Sequence, residues 1–230
     1  MGVEIVVIGA GGHARVVLEI LRAAGGHRCV GLLDQDPALQ GSVIDGIAVL
    51  GLPNQLHRLR QQNVRGVAIA VGENRARLSY VELVRQHGLE LITLIHPAAV
   101  VASTAKIGGG CVVAAGAAVA AAARIGEAAI LNTNCVVDHE CEVDAGVHVC
   151  PGALLAGRVR VDRGAMIGLG AKVLPCLSIG AGAIVGAGAV VIRDVPAQCT
   201  VVGVPARVLA GPGTGSGGEQ SELVETTHNA

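Results

Sequence analysis

Between Asn132 and His148 the chain gathers most of the side chains with which it could do chemistry. The run reads Asn132-Thr133-Asn134-Cys135-Val136-Val137-Asp138-His139-Glu140, and His148 follows. His139 stands between two carboxylates, which favour the imidazolium and so raise the basicity of the ring. Such an imidazole, held on a rigid wall, suits general-base work on an amine or hydroxyl nucleophile. The plainer reading of the same run is a solvated polar corner. A second group lies near the N-terminus, where Gly9-Ala10-Gly11-Gly12-His13-Ala14 satisfies G-x-G-x-x-A and Asp34 follows twenty residues beyond Ala14. Glycines of this kind let the backbone approach a diphosphate, and a helix N-terminus supplies unpaired N–H groups to it. An acid at the end of the next strand can accept from a ribose or base.

The elements that must position these groups are legible in two different periodicities. From Val101 to Val191 every sixth residue is aliphatic, sixteen positions without a slip: Val101, Ile107, Val113, Val119 and so on through Val185. Two residues before each stands mostly Ala or Cys, as at Ala105, Cys111, Cys135 and Cys141. A period of six fits neither a helix nor a simple strand alternation; it indicates a hexapeptide-repeat parallel β-helix. With three hexads per coil, each aliphatic residue stacks on the one eighteen positions later. The narrow interior leaves room for only a small neighbour, which explains why Phe and Trp are absent and Tyr occurs once. Sixteen hexads make five and a third coils, roughly 25 Å at about 4.8 Å per coil. His139 falls two places past the inward Val137, so it cannot be a core histidine.

Before the repeats, Glu4 to Ile8 reads as a strand, and Val16, Val17, Ile20 and Leu21 recur at helical spacing up to Gly25-Gly26. Cys29 to Leu33 is a second strand, Gln55 to Gln62 a short helix, and Val67 to Val71 a third strand closed by Gly72-Glu73-Asn74. Arg75 to His87 is helical, and Leu89 to Ile95 is a fourth strand. About ninety residues hold one βαβ half, too few for a two-half dinucleotide fold, which favours a nucleotide over NAD. The expected organisation is a small Rossmann-like parallel α/β domain over 1–96, a β-helix with its cap over 97–209, and a disordered tail over 210–230. Thr200 to Leu209 is expected to cover the open end of the prism.

The composition bounds the rest. Net charge is −1, so there is no electrostatic footprint for nucleic acid or an anionic membrane. No apolar run approaches the eighteen or more residues of a membrane span. The run Ile5 to Ala10 follows Glu4 and reads as a buried strand rather than a signal peptide. Seven cysteines without a C-x-x-C suit a reduced, cytoplasmic setting and no metal.

Taken in chain order, Gly9-Ala10-Gly11-Gly12-His13, Leu33-Asp34, Ile69-Ala70-Val71-Gly72, Leu94-Ile95-His96-Pro97, Leu131-Asn132-Thr133, Asp138-His139-Glu140-Cys141, Val147-His148 and Val202-Gly203-Val204-Pro205-Ala206 resemble the bacterial nucleotide-sugar N-acetyltransferases. The branch acting on bacillosamine-type 4-amino sugars is nearest, and the resemblance covers residues 3 to 209. It implies a left-handed β-helix and a homotrimer, with acetyl-CoA as co-substrate in the groove between neighbouring prisms. It further implies that His139 is the base and Glu140 the carboxylate that tunes it. His148, Gly157, Leu169 and Ala187 would line the acetyl-CoA groove. Gly11, Gly12, His13, Asp34, Gln35, Gly72 and Asn132 would hold the nucleotide-linked amino sugar. Gln35 where the family has Asp, Glu73 where it has Asn and Ala187 where it has Gly bear on nucleotide choice more than on the reaction. Three other readings stand beside this one: O-acetylation of a sialic acid or other sugar hydroxyl, a non-catalytic nucleotide-sugar binder, and a zinc hydratase on the same scaffold. The last needs three converging histidines, and the repeats offer His139 and His148.

Overall fold

The computed structural model describes residues 2–211. The expected tail lies, past Gly211, outside the described residues. The N-terminal unit runs β1 (Glu4–Ile8), α1 (Gly12–Ala24), β2 (Arg28–Leu33), β3 (Val43–Ile44), β4 (Ile47–Gly51), α2 (Leu56–Gln61), β5 (Gly66–Ile69), α3 (Asn74–Gln86) and β6 (Glu90–Leu91). Its sheet has the order β3-β4-β2-β1-β5-β6, parallel throughout except for the β3–β4 hairpin. β1 and β5 are buried on both faces, as their unbroken apolar runs require. α1 covers one face of the sheet, while α2 and α3 cover the other.

Two details differ from the sequence reading. The β3–β4 hairpin lies between the second strand and the short helix, where no element was expected; Asp45-Gly46 is its turn, both residues at positive φ. The run Leu89 to Ile95 is not one strand. β6 pairs with β5 in the α/β sheet, whereas β7 (Leu94–Ile95) pairs with Val112–Val113 and is already the first rung of the β-helix.

The hexads form a left-handed parallel β-helix with three faces. The first face continues β7 through Val112–Val113, Ile130–Leu131, His148–Val149, Met166–Ile167 and Ile184–Val185. The second carries Val136–Val137 and Leu154–Leu155, the third Glu142–Val143 and Arg160–Val161. Each rung pairs with the strand eighteen residues on, as Val112 with Ile130. The inward aliphatics form one buried column with Cys111, Cys135 and Cys141 as their small neighbours. The coils stack so closely that a Cβ on Gly126 would lie 2.5 Å from the backbone nitrogen of Ala145. At the C-terminal end Thr200–Val202 adds to the first face and turns back antiparallel through Arg207–Ala210, giving the expected cap. The α/β unit docks on the opening coils of the first face, where Leu94, Val112 and Ile130 share a buried cluster with Ala14 and Val17 of α1. That docking brings the N-terminal glycine turn down to the prism wall.

Candidate active site

His139 lies at the corner between the second and third faces. Its Nδ1 is 3.0 Å from Glu140 Oε2, and its backbone N–H donates to Asp138 Oδ1 at 2.7 Å. Glu140 Oε2 also accepts from Arg158 Nε at 3.0 Å. Those contacts, Arg158 first and His139 second, hold the Glu140 carboxyl below the usual carboxylate range. An ionised carboxylate can only accept, so the proton of a neutral His139 sits on Nδ1 and the Nε2 lone pair is free. Nε2 lies over Gly157, where an added Cβ would meet it at 2.5 Å. The imidazole is 51% exposed, open to a substrate arriving from outside the prism. Arg158 was not singled out from the sequence, although the eighteen-residue repeat places it one rung from Glu140. Both residues take the left-handed corner conformation, φ 57° and 60°, that other corners give to glycine.

A second cluster forms where the α/β unit meets the first face. Asn132 Nδ2 lies 3.1 Å from His148 Nε2, and His148 is also hydrogen-bonded to the backbone of Gly72. His13, in the first turn of α1, brings its ring centroid to 6.5 Å from that of His148. Its Nε2 is buried without a hydrogen-bond partner. Gly11 and Gly12 are exposed at the start of α1, where no side chain caps the helix. Gly9 before them has φ 110° and abuts the Ala70 carbonyl, so the turn needs glycine there. Asp34 Oδ2 accepts from Ala10 N at 2.7 Å and braces the glycine turn, while its Oδ1 accepts from Asp36 N at 2.9 Å within its own loop. Gln35 is exposed beside it.

One chain therefore does not bring the two clusters together. His148 is nine residues past His139 in a coil of eighteen, which places it half a turn away on the face opposite the His139 corner. Of the residues expected along the acetyl-CoA groove, Gly157 joins His139, whereas Leu169 and Ala187 are exposed one rung apart at the corner between the first and second faces. Among the described residues no group of three His, Cys, Asp or Glu could hold a metal ion, and no helix is long and apolar enough to cross a membrane.

Burial, and after it the Arg77 guanidinium, pushes His13 down to about 4 and His148 to about 3. Both are neutral at pH 7. An unfolded histidine titrates near 6.5, so below that pH the unfolded chain binds protons that the folded chain refuses. The melting midpoint is thus expected to be flat above about pH 7 and to fall as pH drops from about 6.5 toward 4. His148→Gln should make that fall shallower in calorimetry; an unchanged slope would remove the histidine from the account.

Comparison with known proteins follows this geometry. The family pattern described as the PglD N-terminal domain matches residues 4–84. The UDP-N-acetylbacillosamine N-acetyltransferase of Bacillus subtilis is 38% identical over 114 residues, covering 48% of this chain and 50% of the relative. The matched stretch thus spans about half the length of that curated relative. PerB from Caulobacter crescentus, solved with CoA and GDP-perosamine, superposes with TM-score 0.86 at 43% identity, over 90% of this chain and 97% of that one. The acetyltransferase domain of PglB from Neisseria gonorrhoeae, solved with acetyl coenzyme A, has TM-score 0.85 and 40% identity over 91% and 100%.

Proposed function

The chain belongs to the nucleotide-sugar N-acetyltransferases, and we propose that it transfers the acetyl group of acetyl-CoA to the amine of a nucleotide-linked 4-amino sugar. The observation that carries the reading is the His139 corner, an imidazole with Nδ1 engaged by an Arg-held carboxylate and Nε2 free. The ligands named with the PerB structure, CoA and GDP-perosamine, are of the same two kinds.

In this mechanism the amine nitrogen attacks the thioester carbonyl while His139 Nε2 takes its proton. The C–N bond forms, the C–S bond breaks, and the imidazolium returns the proton to the departing CoA thiolate. Glu140 stabilises the imidazolium between those steps. General-base help of this kind contributes ~10²- to 10⁴-fold, and alignment of two bound substrates adds to it. Cys135 and Cys141 are buried in the column, and burial raises both thiols, so neither supplies a covalent acyl carrier.

The working unit in this reading is a homotrimer. His139 and the His148–Asn132–His13 cluster lie on opposite sides of one prism, so a complete site needs the His139 corner of one copy against the first face of the next. Outward residues of the second face support the packing: Val100 is 70% and Leu154 37% exposed, with Ala118 and Val136 between them. An apolar ridge on a solenoid wall suits closed cyclic assembly. The glycine turn and α1 N-terminus would take the diphosphate, with His13, Asn132 and Gly72 near the sugar. Leu169 and Ala187 would border the groove for acetyl-CoA. Free cysteines and a co-substrate made in the cytoplasm support a cytoplasmic setting.

Thiol release from acetyl-CoA, measured with UDP-, dTDP- and GDP-linked 4-amino sugars and with sialic acid, tests the proposal. Release is expected with an amino sugar. Release with sialic acid alone would move the assignment to O-acetylation.

A further inference from the structure

Arg77, in the first turns of α3, is the one charged residue of the described chain that is fully buried. Among the described residues no carboxylate forms an ion pair with it; neutral oxygens take every donor. Nε donates to Ala128 O at 2.7 Å, and Nη1 donates to Val71 O at 3.0 Å and Gly72 O at 2.9 Å. Nη2 donates to Asn74 Oδ1 at 2.7 Å, to Gly146 O at 2.8 Å and more weakly to Val147 O at 3.4 Å. Asn74 in turn donates to Gly164 O at 2.9 Å. The carbonyls of residues 128, 146 and 164 are spaced by eighteen, so they occupy the same corner of three successive coils. One helical turn between Asn74 and Arg77 matches the rise of one coil, about 5 Å in each case. The first turn of α3 therefore grips the prism rung by rung.

A buried guanidinium without a carboxylate is an expensive way to join two units, and apolar packing would serve stability as well or better. What the guanidinium adds is direction. Its planar fork binds the turn after β5 and two coils of the prism at once, in fixed relative positions. The same Gly72 backbone that it holds also meets His148.

We propose that Arg77 is a positioning residue: it fixes the Val71–Gly72 turn against the coil bearing His148, so that a nucleotide-sugar on the α/β unit is presented to the transfer site at a set distance. The inference rests on the functional reading above and adds a residue to it. Arg77 touches neither reacting group; it acts through Gly72.

The full chain carrying Arg77→Lys, and separately Asn74→Ala, tests this. In Arg77→Lys, kcat/KM for the accepted amino sugar is expected to fall on the order of ten- to a hundredfold. CoA affinity by calorimetry, which depends on the prism, should stay within about twofold. Asn74→Ala should show the same split, smaller, and serves if the lysine variant does not fold. Equal losses in sugar turnover and CoA affinity would mean a merely structural role, and unchanged turnover in both folded variants would overturn the inference. Amide exchange at Arg75 to Arg77, whose N–H groups donate to Glu73 beside the turn, separates this from failure of the functional reading. It should rise in Arg77→Lys even if no acceptor in the panel is turned over, and unchanged exchange would overturn the clamp.

Discussion

His139→Ala is expected to lower kcat by ~10²- to 10⁴-fold, with the melting midpoint and CoA affinity close to wild type. The argument joins two features of one side chain. Half-exposed at a corner, the imidazole contributes little to the column beneath it, so its loss should cost within about 0.5 kcal/mol of stability. Its Nε2 is the free acceptor of the corner, because Glu140 engages Nδ1. A stopped assay of thiol release, alongside a thermal melt, measures both halves. A fall of less than about tenfold, in a variant that melts normally, would show that the proton goes elsewhere.

Gly157→Ala is expected to impair catalysis by about a hundredfold through displacement alone. Gly157 is not at positive φ, so alanine can adopt its backbone without strain. The new methyl would nonetheless meet His139 Nε2 at 2.5 Å and Cε1 at 2.6 Å, closer than real contacts allow. The ring is the far end of a mobile side chain and can swing away. Stability therefore changes little, while the acceptor nitrogen leaves its place above the rung. The measurement is kcat with saturating acetyl-CoA, and full activity in this variant would mean that the ring's position does not matter. A crystal structure of the variant should show the imidazole rotated off the corner.

The repeat made the β-helix legible because a narrow interior punishes any register slip, and the column from Val113 to Val191 is buried as the spacing required. His139 was legible for the same reason, since position within the hexad decides whether a side chain points in or out. The repeat also contains angle. Nine residues is half a coil, so His139 and His148 could not meet in one chain. Arg158 could have been found one rung from Glu140 by the same count. Arg77 had no such signal: in sequence it is one more basic residue on an amphipathic helix, and its burial follows only from how that helix lies along the prism. The Leu89 to Ile95 run was unreadable in another way, because one apolar segment can feed two sheets when the chain passes between units. The glycine motif did not reveal that Asp34 also braces the turn, one of its oxygens accepting from Ala10 N and the other from Asp36 N in its own loop.

The most direct test of the central claim is mass spectrometry of the nucleotide-sugar after incubation with acetyl-CoA and the wild-type chain. One acetyl group is predicted on the sugar amine, stable to alkaline hydroxylamine as an amide is, and almost absent when His139→Ala replaces the wild type. An acetyl group lost to hydroxylamine, one retained on the protein, or equal product from His139→Ala would contradict the account.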